Sequence, residues 1–475
     1  MSNIAVPTSI KSVLLRHTRG RSNPIEFAEG VTDSSESRSM MKGNEFSHMK
    51  VGTSPKYGSV STASVPFNFI GRVQTVLFIS WGFICCKVAK DSVLRMDAKL
   101  RDNFFYEAFL YYNPLFMVAM MVWLWGVNVW VFLQSRVNFA KVFDLDQNHL
   151  TPREIWKIAS WMTILVLTSM TAYLYLYSHG EVSLAASQPV LLYCTLPLLL
   201  VFPFDVLYAS SRFFFIRTLI RLTIPLQPIT FADFFVADVL TSMAKVISDI
   251  ERSTCRMYNR QVATIAWFEA DDICGSHSIW IPCFLAFPYF CRFLQCLRQY
   301  YDTREMTSLS NALKYATSFP VIFLSALKYH VLPEMWHGVY RPLWLLCSVI
   351  NSCFSFYWDV SRDWDLGFFS GSFKSRNPLL RTNLLYNNKW VYYWAISSNL
   401  LLRCAWTYKL SAHLRHNYLT VFTFSGLEML RRFQWIFFRV ENEYNKMLTR
   451  TSLQVPMKEM TIEAERLLSP SHHVV

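Results

Sequence analysis

The sequence predicts an all-α fold, a bundle of about ten helices that crosses a membrane repeatedly. Its composition is the first indication, since 52% of the 475 residues are hydrophobic and only 17% are charged. The second is that several apolar windows reach about 18 residues, the length that spans the hydrocarbon core of a bilayer. The cleanest of them is 113–133. Soluble repeat proteins do not build such runs, so we expect a polytopic transmembrane protein.

The chain divides into two polar tails and a long apolar domain. Residues 1–66 are rich in Ser, Thr, Lys and Arg without apolar periodicity, which is typical of a disordered tail. A transmembrane domain is predicted over 67–445, and residues 446–475 are polar and read as a mobile C-terminal tail. The candidate spans lie at about 67–89, 112–133, 156–177, 190–209, 231–250, 280–297, 313–330, 342–358, 390–408 and 419–438.

Two of these spans are weaker than the rest. The first contains Arg72, and the sixth contains Pro288 and Arg292. Between the fourth and fifth spans, the basic and aromatic segment 212–221 predicts an interfacial helix that lies on the membrane surface.

The charge distribution predicts orientation and excludes one class of partner. Lys and Arg are more frequent in the loops on the side of the N-terminus, so the positive-inside rule places both termini in the cytoplasm. The net charge of +13 fits anionic membrane leaflets and an anionic cargo. No basic patch lies on a soluble domain, so nucleic-acid binding is not expected.

Cysteine spacing gives no sign of a metal site. Most of the eleven cysteines lie in apolar runs, where a thiol behaves as a small hydrophobe, and no Cys or His spacing suggests zinc. Cys255 and Cys274 share a polar loop and form a disulfide if that loop faces an oxidising lumen, as the predicted topology favours. From spacing alone, two free thiols remain the alternative. No cofactor is expected, and the chain has no GxxxxGK[ST] motif for ATP.

The last two predicted spans carry charge within apolar sequence. Arg403 lies in one, and Glu428, Arg431 and Arg432 lie in the other. A central Arg costs roughly 2.5–3.5 kcal/mol in a membrane helix, so these arginines need a compensating anion. Glu428 is three and four positions before the arginines and can pair with one of them. A phosphate ion would pair with the arginines that remain without a carboxylate, because its oxygens match the planar guanidinium group two at a time.

Other ionisable residues lie in or at the ends of predicted spans. They are Asp238, Lys314, Asp359 and Asp363. Any single one of them is also explained by a charge that reaches the interface from a helix end. Together with the arginines they indicate an ion or proton path. Trp406, three residues after Arg403, is a candidate gate for the same cavity.

Six segments resemble the successive signatures of a known domain. They are FADFFVADVLTSM, RFLQCLRQYYDT, NALKYATSF, YWDVSRDWDLG, SSNLLLRCAWT and LEMLRRFQWIFFRVENEYN. In this order, between about Asn113 and Asn445, they look like the EXS domain, the membrane domain of the retroviral-receptor phosphate exporters and of related yeast and plant proteins.

The resemblance implies a ten-span transporter that lets inorganic phosphate out of the cytosol, or back into it from an organelle lumen. Matched position by position, the family's phosphate-binding residues are Asp238, Lys314, Tyr315, Asp359, Arg403, Arg431 and Arg432. Asp363, Trp406 and Glu428 match positions tied to the pathway and its gating. The family usually reads Asp-x-x-Asn in the fifth span, whereas Thr241 here keeps a hydroxyl and lacks the amide.

The resemblance also bears on location and partners. Larger relatives begin with an SPX domain that senses inositol pyrophosphates, and nothing in residues 1–66 resembles it. Relatives without an SPX domain resemble the yeast Golgi EXS protein. This resemblance implies an endomembrane location, with the plasma membrane second. The expected partners are inorganic phosphate and membrane lipids, and a homodimer is left open.

Two rival functions remain at this stage. A membrane-embedded transferase would need a catalytic His or paired acids at a membrane face, and none stands in a recognisable motif, so we do not expect an enzyme. A non-transporting adaptor that retains Golgi glycosyltransferases would bind their cytosolic tails. The adaptor function does not explain why arginines lie within the membrane spans.

Overall fold

The computed structural model describes residues 69–145, 149–204, 208–225, 227–263, 271–275, 277–367, 384–386, 388–410 and 418–468. These residues are predominantly helical, with no strand among them, which confirms the predicted fold class. The predicted tail 1–66 lies outside them. The first helices are α1 (Phe69–Arg95), α2 (Ala98–Gln134), α3 (Phe139–Val142), α4 (Pro152–Ser178) and α5 (Val182–Val201).

The middle of the chain contains shorter helices. They are α6 (Ala209–Thr223), α7 (Phe231–Ser242), α8 (Ala244–Tyr258), α9 (Asp271–Cys274), α10 (Trp280–Thr303), α11 (Met306–Ala316), α12 (Ser318–Leu327) and α13 (Pro333–Met335). Helix α6 covers the segment predicted as interfacial, and Phe213 and Phe214 on it are exposed. Arg212 of α6 donates to the carbonyl oxygens of Phe202 and Phe204 at 3.0 and 2.7 Å, which satisfies groups just past the end of α5.

The remaining helices carry most of the predicted site. A π-helical turn, Trp336–Tyr340, leads into α14 (Arg341–Trp358), and a second π turn, Asp359–Asp363, follows it. Helix α15 (Lys389–Arg403) continues as a 3₁₀ helix over Cys404–Leu410, and α16 runs from Tyr418 to Leu468. Helix α16 therefore extends far into the stretch 446–475 that was predicted as a mobile tail.

Local sequence explains where several helices begin. The Thr151 hydroxyl accepts a hydrogen bond from the Glu154 amide at the start of α4, and the Glu154 carboxylate accepts from the Thr151 amide at 2.7 Å. Thr230 and Asp233 form the same reciprocal pair at the start of α7. Such a capping box satisfies two amides that have no partner within the helix.

Helix α2 packs against α4, α8 and α16. Gly126 permits its close approach to α4, because a Cβ at this position would collide with the Trp156 indole. Helix α1 lies at the periphery, with only 6% of its apolar window buried inside the protein. Its outer face therefore presents apolar side chains to lipid.

Within the described part of the chain, six helical stretches are long and apolar enough to cross a membrane. They are Gly71–Arg95, Phe104–Gln134, Pro152–Ser178, Val182–Val201, Trp280–Thr303 and Pro333–Asp363. The chain is thus a multi-pass membrane protein, while the count of ten spans stays a prediction. The other four predicted spans fall on broken helices or on helices that carry charge.

Helix breaks interrupt two of the predicted spans, 231–250 and 313–330. Helix α7 ends at Ser242 and α8 begins after Met243, while α11 and α12 are separated at Thr317. Irregular backbone at membrane depth is tolerated where it lines a polar cavity, because the freed backbone groups find partners there. The breaks therefore point to a cavity.

Candidate functional site

A polar cavity of about 70 Å³ lies among the C-terminal helices. That volume is room for several waters, or for a small ion. Side chains from α7, α10, α11, α12, α14, α15 and α16 line it. They are Thr241, Ser242, Tyr289, Lys314, Tyr315, Ser318, Asn351, Ser355, Arg403, Glu428, Arg431 and Arg432. Four of these residues are basic and one is acidic.

The helix irregularities lie next to this cavity in sequence and in space. Two lining residues, Thr241 and Ser242, end α7, and Ser318 begins α12. The Thr317 hydroxyl at the second break donates to the Lys314 carbonyl oxygen at 2.7 Å and lies 2.9 Å from Asn351 Oδ1. Side chains around the cavity thus satisfy backbone groups that a continuous helix would use, as polar groups at membrane depth require.

Asp359 is shared by three basic side chains. Arg403 donates to its Oδ2 from Nε and Nη2 at 3.0 and 2.5 Å. Arg431 Nη1 and Lys314 Nζ each lie 3.7 Å from a carboxylate oxygen of Asp359. The Asn399 amide donates to Oδ2 at 3.1 Å. One buried carboxylate therefore holds three cations at the cavity, and its single charge cannot neutralise them.

Arg431 has a second carboxylate partner on its own helix. Its Nε and Nη2 donate to Glu428 at 2.9 and 2.5 Å, the pairing that their three-residue spacing predicts. Asp363, one turn beyond Asp359, lies 3.5 Å from Lys314 Nζ and accepts from Trp435 Nε1 at 3.2 Å.

Arg432 differs from the other basic residues. Its Nε donates to Ser242 Oγ at 2.8 Å and its Nη2 to Thr241 Oγ1 at 3.1 Å, and its guanidinium lies 4.4 Å from the centre of the Trp435 ring. Among the described residues, no carboxylate comes within ion-pair distance of it, and only 6% of the residue is exposed. Hydroxyls and a ring orient this charge without cancelling it.

Arg292 is a member of the site that sequence reasoning missed. It is fully buried, donates to Asp238 Oδ1 at 2.8 Å and to Gln295 Oε1 at 2.9 Å, and lies 3.5 Å from the centre of the Phe234 ring. The Tyr315 hydroxyl donates to the same Asp238 oxygen. Asp238 Oδ2 is buried without a hydrogen-bond partner among the described residues. At the level of sequence, Arg292 served only as evidence against the sixth span. An Arg within an apolar run is itself a sign of a functional site in a membrane protein.

The charges of the described cluster do not balance. Five basic residues meet four carboxylates: Arg292, Lys314, Arg403, Arg431 and Arg432 against Asp238, Asp359, Asp363 and Glu428. The formal excess is one positive charge, and it is concentrated at the cavity wall. Such an arrangement favours an anion in the cavity over a cation.

Comparison with known proteins decides the family. The sequence pattern of the EXS family matches residues 108–445. The chain belongs to the EXS family. This confirms the resemblance carried by the six segments, and the matched region contains every residue of the cluster described above.

Curated relatives of this EXS chain support the assignment. It is 34% identical to "SPX and EXS domain-containing protein 1" of Dictyostelium discoideum over 68% of its length and 35% of that protein's. It is 33% identical to "Xenotropic and polytropic retrovirus receptor 1 homolog" of Danio rerio and 32% identical to "Solute carrier family 53 member 1" of Mus musculus, over 70% of its length in both cases. It spans 49% and 50% of these two relatives, about half their length. The three relatives are thus named for their domains, as a retrovirus receptor and as a solute carrier.

The structure of the EXS domain brings most of the sequence-predicted residues together. Seven of them line the cavity: Thr241, Lys314, Tyr315, Arg403, Glu428, Arg431 and Arg432. Asp238, Asp359 and Asp363 are buried and bind those basic or phenolic groups without lining the cavity themselves.

Two predicted features do not line the cavity. Trp406 donates to Ser352 Oγ at 2.9 Å and packs edge-on against Trp344, so it contacts α14 next to the lining residue Asn351. Its predicted gating role stays a prediction. Cys255 and Cys274 form a disulfide that joins α8 to α9, with their Cα atoms 5.7 Å apart.

Proposed function

We propose that this EXS chain transports inorganic phosphate across a membrane through the basic cavity. The observation that carries the proposal is Arg432, a buried guanidinium without a carboxylate partner among the described residues, in a wall that holds three further cations. A hydrogen phosphate ion supplies the missing charge and accepts paired hydrogen bonds from guanidinium forks. The names of the relatives, which include a solute carrier, agree with transport.

The site would bind phosphate by exchanging partners. Arg432 offers its charge at once, while Arg403 and Arg431 would share theirs between the ion and the carboxylates of Asp359 and Glu428. Those carboxylates compete with the ion, which keeps its binding weak enough for release, as conduction requires. Asp238, which does not line the cavity, would act through Tyr315, because it accepts the hydrogen bond that holds the Tyr315 hydroxyl at the wall.

The decisive experiment measures efflux of radiolabelled phosphate from liposomes that contain only this protein, with sulfate as a competitor. Arg432→Gln should lower the flux at least tenfold, because hydrogen bonds to a charged group contribute about 1.5–3 kcal/mol each. Arg450→Gln is the matched control, since Arg450 lies on the same helix and is exposed. No flux in the unaltered protein would reject phosphate transport, and normal flux in Arg432→Gln would reject this cavity as its route. Equal competition by sulfate would point to a general oxyanion carrier.

We further propose that the protein resides in an endomembrane of the Golgi type, with both termini in the cytoplasm. The excess of Lys and Arg on the N-terminal side supports this orientation. Epitope tags at the two termini test it, because antibody should reach both after selective permeabilisation of the plasma membrane. Staining of either tag only after the internal membranes are opened would reverse the assignment.

A further inference from the structure

A second cavity lies apart from the phosphate site, between α2, α4 and the first turns of α16. Its volume is about 520 Å³, and its walls are almost entirely apolar. Aromatic rings of Phe109, Phe116, Trp123 and Phe422 form much of the lining. Along α2 it extends from Phe109 to Leu124, a rise of about 22 Å at 1.5 Å per residue.

The position of this cavity determines what can enter it. Its α2 wall lies within the membrane-spanning stretch Phe104–Gln134. Leu419 on the opposite wall is 57% exposed, so the cavity opens at the outer surface of the bundle. At this depth the surroundings are lipid, and an occupant would come from the bilayer.

One polar side chain in the lining, Asn113, favours an occupant with a hydrogen-bonding group. Asn113 is 9% exposed and lines the cavity, and its carboxamide oxygen is buried without a hydrogen-bond partner among the described residues. An unsatisfied amide in hydrocarbon is costly, so a hydrogen bond from the occupant, formed as the amide turns toward the cavity, would stabilise the folded protein. A hydroxyl group suits this amide in either orientation, since it both donates and accepts.

We propose that this cavity binds a membrane sterol, with the sterol hydroxyl hydrogen-bonded to Asn113. The lining residues that the structure describes include no Lys, Arg or His to meet a lipid phosphate, which argues against a phospholipid headgroup. Ring faces and flexible methionines, among them Met120 and Met170, fit a rigid apolar ring system. The sterol class combines such a body with a single hydroxyl.

A photoactivatable sterol tests the proposal on the full chain in lipid vesicles. The label should map to peptides of α2, α4 and α16, and unlabelled sterol should displace it. Asn113→Leu keeps the side-chain volume and removes the oxygen, so labelling at low probe concentration should fall about fivefold, the effect of one hydrogen bond. Met120→Trp should abolish labelling by filling the cavity. Met335→Trp is the control, because Met335 is 49% exposed and lies outside the cavity.

Several results would overturn the sterol site. They are a label that maps elsewhere in the unaltered protein, full labelling of Asn113→Leu and Met120→Trp, and a photoactivatable phospholipid that labels the cavity without displacement by sterol. Crosslinks between two chains through α2 would instead assign the face to a second copy. If Asn113→Leu aggregates, the sterol site is accepted or rejected on the labelled peptides of the unaltered protein and on the labelling of Met120→Trp.

Discussion

Arg432 Nη2 donates to Thr241 Oγ1 across 3.1 Å, although 191 positions separate the two residues in sequence. The Thr241 hydroxyl in turn donates to the Asp238 carbonyl oxygen at 2.7 Å. The hydroxyl proton is thus donated to a backbone carbonyl, and the oxygen remains free to accept a hydrogen bond from the guanidinium. Thr241 orients a buried cation and adds no charge of its own, which is also what the carbonyl of the Asn expected from the family resemblance would do.

Thr241→Val should lower the kcat/KM of phosphate transport about tenfold. Valine matches the shape of threonine but removes the acceptor for Arg432, and a hydrogen bond to a charged group contributes about 1.5 kcal/mol or more. The measurement is phosphate uptake into proteoliposomes over a range of phosphate concentrations. Thr241→Ser retains the hydroxyl and should behave nearly as the unaltered protein does. Equal rates in the Val and Ser variants would show that this contact does not matter for transport.

Arg292→Gln should destabilise the protein by about 3–5 kcal/mol, because it leaves the Asp238 carboxylate buried without its closest cation. The double variant Arg292→Gln/Asp238→Asn should recover most of that stability, since neither charge then remains, yet it should still transport poorly. The stability is measured by heating the protein to a series of temperatures and quantifying the fraction that remains folded by size-exclusion chromatography. Additive losses in the double variant would contradict a direct coupling between the two residues.

The sequence was sufficient for the helical class, the family and the cluster of basic residues, because these depend on local composition and on motifs. It was not sufficient for the helix breaks. The stretch 231–250 reads as one apolar run, whereas the helix is interrupted at Met243, just where Thr241 and Ser242 bind Arg432 from a helix nearly two hundred positions away. Tertiary contacts of this kind override local helix propensity.

Arg292 and Trp406 illustrate the same limit, that contacts between distant residues are invisible in a local pattern. A lone Arg in an apolar run weakened the predicted span, because its counter-ion Asp238 lies 54 positions earlier and their pairing is invisible in the local pattern. Trp406 was placed at the cavity because it is one helical turn from Arg403. Residues three apart also share a face of the 3₁₀ helix that begins at Cys404, but the local pattern could not show that the indole hydrogen-bonds to Ser352 and packs against Trp344.

Glu428→Gln should strengthen phosphate binding and slow its release. The carboxylate competes for the Arg431 guanidinium, and its neutral analogue leaves that cation available to the ion. We expect a lower KM together with a lower maximal rate in the proteoliposome assay. Glu443→Gln is the matched control, because Glu443 pairs with Arg439 on the same helix and does not line the cavity. A raised KM in Glu428→Gln would mean that the carboxylate helps to hold the ion.

The disulfide gives a test of stability and of orientation at once. Cys255→Ser should lower the free energy of unfolding by about 3 kcal/mol, the contribution expected when a covalent loop of this size restricts the unfolded chain; the two cysteines are 19 positions apart. Cys86→Ser removes an exposed free thiol and should change little. In sealed vesicles of known orientation, a membrane-impermeant reductant should lower the stability of the unaltered protein only from the non-cytoplasmic side. Sensitivity from the cytoplasmic side would reverse the proposed topology and leave the disulfide in place.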